Sequence, residues 1–365
     1  MTQNELCEFF AENGISVDEY QSAYAHSDEN YVYIDALDPI YDLGGIQHPN
    51  DNCGEYYRLD AAKKYCYSNA NRYLATNTSG AQVRIATDAS KVFVSVTLNG
   101  NGNGMHHFTD RGVYGVDFYQ GVGKEREYVG GVMVTFAVDI NKNEGVLALK
   151  EGVKEFYINL PLYEGVKKVE IGFPHGSRIS PPMPRENGTV CFYGSSITQG
   201  GCAGRPGNMY SHILCRQLDC NNMNLGFSGS ARGEQAVANY IASRHIDAFV
   251  MDFVFNTLTV GELEYTHEKF YKTVRTVHPD IPVIFVTHPY YGEATALDRE
   301  RVRVVFETYT RAKENGENVW FVDSESFFPH EMRDLFAVDN LHPNDLGNYF
   351  MAKAIYPTLK KALEG

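Results

Sequence analysis

Hydrophobic and polar positions change period once along the chain. Up to about residue 180 they alternate. Lys91-Val92-Phe93-Val94-Ser95-Val96-Thr97-Leu98 sets Val92, Val94, Val96 and Leu98 on one face, and Phe156, Ile158 and Leu160 alternate likewise. Val132, Val134, Phe136 and Val138 repeat the pattern. A period of two broken by glycine-rich turns predicts strands with one buried face, and a series of them predicts a β-sandwich over residues 1–180. The stretch RISPPMPRENG at 178–188 then interrupts it. Proline locks φ and lacks an N–H donor, so this segment continues neither helix nor central strand, and residues 181–188 read as a linker.

From 189 onward the texture differs. Short apolar runs at 189–193, 223–225, 248–255, 283–287 and 319–322 alternate with helical patterns near 209–219, 231–244, 262–277 and 298–315. Phe270, Val274 and Val277 fall on one helical face. Strands alternating with amphipathic helices predict a parallel sheet covered on both faces. Residues 189–365 are thus expected to form a doubly wound α/β domain, of a size one core serves.

Composition narrows the function. An apolar fraction of 43% and a charged fraction of 21% exclude disorder. With 46 acidic and 32 basic residues the formal net charge is −14, which excludes capture of nucleic acid or an anionic membrane by bulk charge. A neutral substrate fits better. The opening MTQNELCEFFAENG lacks the basic-then-apolar order of a signal peptide, and no apolar run reaches about 18 residues. A cytoplasmic location is therefore expected. The seven cysteines (Cys7, Cys53, Cys66, Cys191, Cys202, Cys215, Cys220) show no zinc-type spacing and read as reduced thiols. No metal and no cofactor is expected. The 25 tyrosines and 21 phenylalanines read as sandwich core before ligand-stacking surface. Asn99-Gly100-Asn101-Gly102-Asn103-Gly104 lacks the Gly-Lys-Ser/Thr ending of a phosphate loop and reads as a hairpin tip. His106 and His107 beside it have no ligand partner at metal spacing and read as plain loop residues.

Open α/β sheets carry their chemistry at the C-terminal edge of the strands. There the sequence places Ser196, Gly229, Asn256 and the Asp339-Asn340-Leu341-His342 segment. Acyl transfer requires an activated hydroxyl, a base within reach, a group that orients the base, and donors aimed at the developing oxyanion. Ser196, His342 and Asp339 can supply the first three; Asn224-Leu225-Gly226-Phe227-Ser228-Gly229-Ser230, rich in small residues, lets backbone N–H groups approach a ligand, and Asn256 follows the third strand. Simpler readings exist: a serine in a strand-to-helix turn is often an N-cap, and His342 before Pro343 could be a helix-entry residue with Asp345 as cap. The combination of signals outweighs both. Arg205, in the loop after the nucleophile, is a candidate substrate contact or a loop pin, and His288 is a candidate substrate contact. Asp252 and Asp323 read as structural.

These residues resemble the blocks of the SGNH/GDSL hydrolase superfamily. The first block, G-D-S-x-x-x-G, corresponds to Gly194-Ser195-Ser196-Ile197-Thr198-Gln199-Gly200 and makes Ser196 the nucleophile, with Ser195 in place of the family's Asp. Gly229 corresponds to the second block's oxyanion glycine. Asn256, in Val254-Phe255-Asn256-Thr257, corresponds to the third block without its Gly and Asp. Asp339-Asn340-Leu341-His342 matches D-x-x-H. The strings YGSSITQGGCAGRPG, NLGFSGSARGE and DNLHPNDLG are similar to a subgroup of SGNH esterases with an N-terminal sandwich. Gly115-Val116-Asp117-Phe118-Tyr119 resembles that sandwich's G-x-D-L-Y element.

The resemblance implies a flavodoxin-like three-layer α/β/α hydrolase domain behind a jelly-roll-like sandwich. It also implies a serine esterase that removes acetyl or similar short acyl groups, with a small acylated carbohydrate as substrate. A lipase or thioesterase for longer chains, and a non-catalytic carbohydrate-binding protein, are the competing readings.

Overall fold

The computed structural model describes residues 1–102, 104–132, 141–290 and 293–365, so the alternation through Val134, Phe136 and Val138 lies outside the described residues. The first half is a sandwich of two antiparallel sheets. One sheet has seven strands, with Gln82–Thr87, Lys154–Asn159 and Val116–Val122 adjacent at its centre. The other runs Ala25–Ser27, Tyr31–Asp35, Val166–Pro174, Lys91–Leu98, Lys142–Ala148. Val92, Val94, Val96 and Leu98 are at most 1% exposed and meet Ile85, Phe118, Phe156 and Ile158 of the facing sheet in one core.

Two features depart from simple alternation. A helix, Gln3–Asn13, precedes the strands, started by a capping box between Thr2 and Glu5. And all six residues of Lys154–Asn159 are buried, not every second one. The reason is the second half of the chain, which covers the outer face of the seven-stranded sheet. There Glu155 lies within ion-pair distance of Arg84 (3.6 Å), Arg126 pairs with Asp219, and Arg185 reaches Asp42 at 3.2 Å.

The second half is a five-stranded parallel sheet in the order Asn221–Gly226, Thr189–Gly194, Ala248–Asp252, Val283–Val286, Val319–Val322. The helices Tyr210–Leu218 and Asp345–Glu364 cover one face, and Gln235–Ala242, Val260–Val277 and Ala296–Glu314 the other. This is the doubly wound α/β arrangement expected from the alternation, in the flavodoxin-like three-layer form that the resemblance implies. Its strand order reverses beside Thr189–Gly194, which is where such sheets open a crevice for ligands. Among the described residues no helix is long and apolar enough to cross a membrane.

The two halves are knitted together by a buried cation. Arg58, 1% exposed, donates to the carbonyls of Asn77 (2.8 Å) and Leu74 (2.7 Å) in its own half. It also donates to Asn224 (3.2 Å) and Gly226 (2.7 Å) in the parallel sheet, and its guanidinium lies 4.8 Å over the Phe227 ring.

Candidate active site

The strand Thr189–Gly194 ends in a one-turn helix, Ser196–Gln199, so the chain turns sharply at Ser195. Gly194 permits the turn: a Cβ there would collide with the Thr198 hydroxyl and the Asp252 carbonyl. Ser195 is the N-cap, its hydroxyl accepting from the Ile197 N–H at 3.2 Å. The capping role thus falls to Ser195, and the Ser196 hydroxyl points elsewhere. Ser196 Oγ lies 2.8 Å from His342 Nε2, and His342 Nδ1 lies 2.8 Å from Asp339 Oδ2.

The D-x-x-H segment folds so that one carboxylate holds its own histidine. Asp339 Oδ1 accepts the backbone N–H groups of Leu341 (3.1 Å) and His342 (2.7 Å), with Asn340 at φ +61° making the turn. Burial works to raise the Asp339 pKa, but hydrogen bonds from the His342 backbone and ring outweigh it and hold the carboxyl below its usual range. Asp339 is thus an anion that fixes the imidazole and leaves Nε2 facing Ser196. The following helix is capped by Asn344, not Asp345; Asp345 instead accepts the Gly204 N–H at 2.6 Å and ties the loop after Ser196 to the helix behind His342.

Gly229 adopts φ +65°, a left-handed conformation suited to glycine, and a Cβ there would meet nothing within 4 Å, so its surroundings are open. Asn256 Nδ2 donates to the Phe227 carbonyl at 3.2 Å, which holds the amide beside the turn that carries Gly229. Gln199 Oε1 accepts the Ser228 N–H at 2.9 Å and binds the same turn to the helix that begins at Ser196.

Arg205 pins its loop. Its Nη1 donates to Asp117 Oδ2 and to the Tyr119 hydroxyl, each at 2.6 Å, and its guanidinium stacks 4.0 Å over Tyr128. Asp117 also accepts the Gly207 N–H at 2.8 Å. The Gly115–Tyr119 element of the sandwich is therefore the clamp on the loop that follows Ser196. His288 is only 2% exposed, packed 4.2 Å from the Phe255 ring with Nε2 3.0 Å from Asp298 Oδ1. Burial drives its pKa down to about 4, and the expected substrate contact gives way to a neutral packing role. Asp252 is a buried partner of Thr198 (3.0 Å) and Tyr210 (2.9 Å) beneath the Ser196 turn, and Asp323 caps a short 3-10 helix.

The sandwich supplies what sequence reasoning missed. His107 and Phe108 reach over the paired residues: the His107 ring lies 5.0 Å from that of His342, tilted by 32°, and Phe108 stands edge-on to it at 5.9 Å. Tyr163, packed 4.5 Å from Phe108, donates to the Ser196 carbonyl at 3.1 Å. Desolvation lowers the His107 pKa despite the Asp339 charge, so the ring beside His342 is neutral. No short-range pattern marks these residues, because their partners lie in the other half of the chain.

Residues 187–360 match the model of the GDSL-like lipase/acylhydrolase family, and residues 31–179 match that of the N-terminus of SGNH-hydrolase-type esterases. No curated protein sequence matches the chain. Among solved structures, a Bacteroides ovatus protein described as a GDSL-like lipase is 26% identical, with 92% of this chain and 98% of that one covered and a TM-score of 0.79. A salicylyl-acyltransferase from a tetracycline biosynthetic pathway is 16% identical (93% and 98% covered, TM-score 0.74). A family two carbohydrate esterase from Cellvibrio japonicus is 13% identical (91% and 98% covered, TM-score 0.61). The last two share the fold. The second half of the chain thus matches the GDSL-like lipase/acylhydrolase family and the first half its N-terminal companion domain, the two-domain arrangement of an esterase-type hydrolase.

Proposed function

We propose that the protein is a serine esterase that removes acetyl or similarly short acyl groups from carbohydrate through an acyl-enzyme on Ser196. One observation carries the chemistry: the unbroken chain Ser196 Oγ–His342 Nε2–Asp339 at 2.8 Å and 2.8 Å, at the reversal point of the sheet. His342 takes the Ser196 proton as the hydroxyl attacks the ester carbonyl, while Asp339 holds the imidazole tautomer and stabilises its charged form. The N–H groups of Ser196 and Gly229 and the second N–H of the Asn256 amide receive the oxyanion. His342 returns the proton to the leaving alcohol, and water then cleaves the acyl-enzyme.

Three features support carbohydrate as the alcohol. The fold is shared with a family two carbohydrate esterase, the net charge of −14 suits a neutral substrate, and the loops at the strand ends are rich in Gly, Ser, Asn and Arg. Acetate release from acetylated xylan, mannan and pectin oligosaccharides tests the substrate. A p-nitrophenyl ester series tests the acyl group, with activity expected on acetate and lost by octanoate. Labelling by a fluorophosphonate probe, absent in Ser196→Ala, tests the mechanism; an unlabelled wild type sinks it.

A further inference from the structure

His106 and His107 have no ligand partner nearby in sequence, yet the fold brings two to His107. One donor atom from each of His107, Cys202 and His342 lies within 4.8 Å of the others. Asp339 Oδ2 stands 3.5 Å from His107 Nε2. Two imidazoles and a thiol with a carboxylate beside them form a donor set that, once the thiol is deprotonated, suits Zn2+ in tetrahedral coordination.

Two independent observations mark this cluster as a ligand site. Neither ring nitrogen of His107 makes a hydrogen bond among the described residues, and both are shut away from solvent. A buried polar atom left unpaired costs about 1–3 kcal/mol, so an occupant that takes its lone pair is favoured. Cys202, in turn, holds φ +65°, a left-handed conformation uncommon for residues with a Cβ. It is 5% exposed, with Sγ 3.4 Å from the His107 carbonyl. The backbone strain keeps the thiol under the histidine loop. The donors come from three separate segments and both halves of the molecule, each fixed by its own packing, so the cluster is formed before any ion arrives.

We propose that Zn2+ binds His107, Cys202 and His342, with Asp339 beside it, and reversibly switches the hydrolase off. On binding, the Cys202 thiol releases its proton to solvent and the ion remains Zn2+; nothing is oxidised or reduced. Zinc–ligand bonds of about 2.0–2.3 Å set the donors roughly 3.4–3.6 Å apart, so the cluster tightens by about an ångström. Each nitrogen of His342 is already committed, Nε2 to Ser196 and Nδ1 to Asp339. A metal on either one removes the base from the reaction. Because protons compete with the metal for imidazole and thiolate, inhibition weakens as pH falls.

The inhibition rests on the hydrolase reading; the binding does not. The test uses the full chain in metal-free buffer. Zn2+ is titrated against p-nitrophenyl acetate hydrolysis, and Co2+ binding is followed by absorption. Wild type is expected to lose activity saturably and regain it with EDTA. Cys202→Ser is expected to keep its basal rate and to need about 100-fold more Zn2+, since even outer partners of a metal ligand are worth about 10–100-fold in affinity. Bound Co2+ is expected to give a sulfur-to-metal charge-transfer band that Cys202→Ser lacks. Equal inhibition of wild type and Cys202→Ser, or no band, overturns the proposal. A band in a protein inactive on every ester sinks the hydrolase reading and leaves the metal site standing.

Discussion

The parallel half of the molecule and the sandwich half meet the same few ångströms of space with different kinds of residue. The parallel half brings Ser196 from the start of a one-turn helix and Asp339 and His342 from the loop before the last helix, hydrogen-bonded in line. The sandwich half brings rings and clamps: His107 and Phe108 over the imidazole, Tyr163 on the Ser196 carbonyl, Asp117 on the loop that carries Arg205. One half holds the atoms we propose to react. The other holds the segments that hold those atoms, so damage to the first should appear in rate and damage to the second in stability.

The largest effect expected is in the first half. Ser196→Ala should lower kcat on p-nitrophenyl acetate by about six orders of magnitude, to background, with the urea unfolding midpoint little changed. A large fall in the midpoint would blur the division. Next comes Asp117→Ala in the sandwich, which leaves Arg205 and the Gly207 N–H without their anion. Breaking a buried pair on one side costs about 3–5 kcal/mol, so the urea midpoint should drop steeply. If stability holds while kcat collapses, the sandwich is more than a clamp.

Asn256→Ala should cost about 100- to 1,000-fold in kcat with a nearly constant KM, as expected for a donor used only in the transition state. A change confined to KM would remove Asn256 from the oxyanion site. A pH-dependent effect concerns Asp252, where burial raises the carboxyl pKa from 3.8 to about 7 against the Tyr210 and Thr198 hydroxyls. The folded protein keeps a proton that the unfolded chain releases, so stability should fall as pH rises from about 4 to about 7 and level off above. Asp252→Asn should flatten that slope in urea midpoints measured across the range. An unchanged slope would mean that other groups set it.

How far each half could be read from sequence follows the same division. The alternation at Lys91–Leu98 and the apolar runs of the parallel sheet reported one buried face or two, and the strands formed where the period said. Ser196 and Asp339-x-x-His342 were legible because their spacing is local and their chemistry demands those residue types. Lys154–Asn159 was legible as a strand but not as an interface: its polar face looks solvated until Glu155 meets Arg84 under the second half. The Gln3–Asn13 helix had a readable signal in its Thr2–Glu5 capping box, hidden by the β texture after it. His107 had none. Its neighbours Cys202 and His342 are set beside it only by the docking of the halves.

Arg58 gives that docking a thermodynamic meaning. Its guanidinium makes four hydrogen bonds to carbonyls on both sides of the contact, at Leu74 and Asn77 and at Asn224 and Gly226. Neither half by itself can satisfy the guanidinium, and a charge that loses half its partners inside a protein is costly. Heat should therefore melt the molecule in a single calorimetric peak, the hydrolase fold and its companion surviving or failing as one cooperative body.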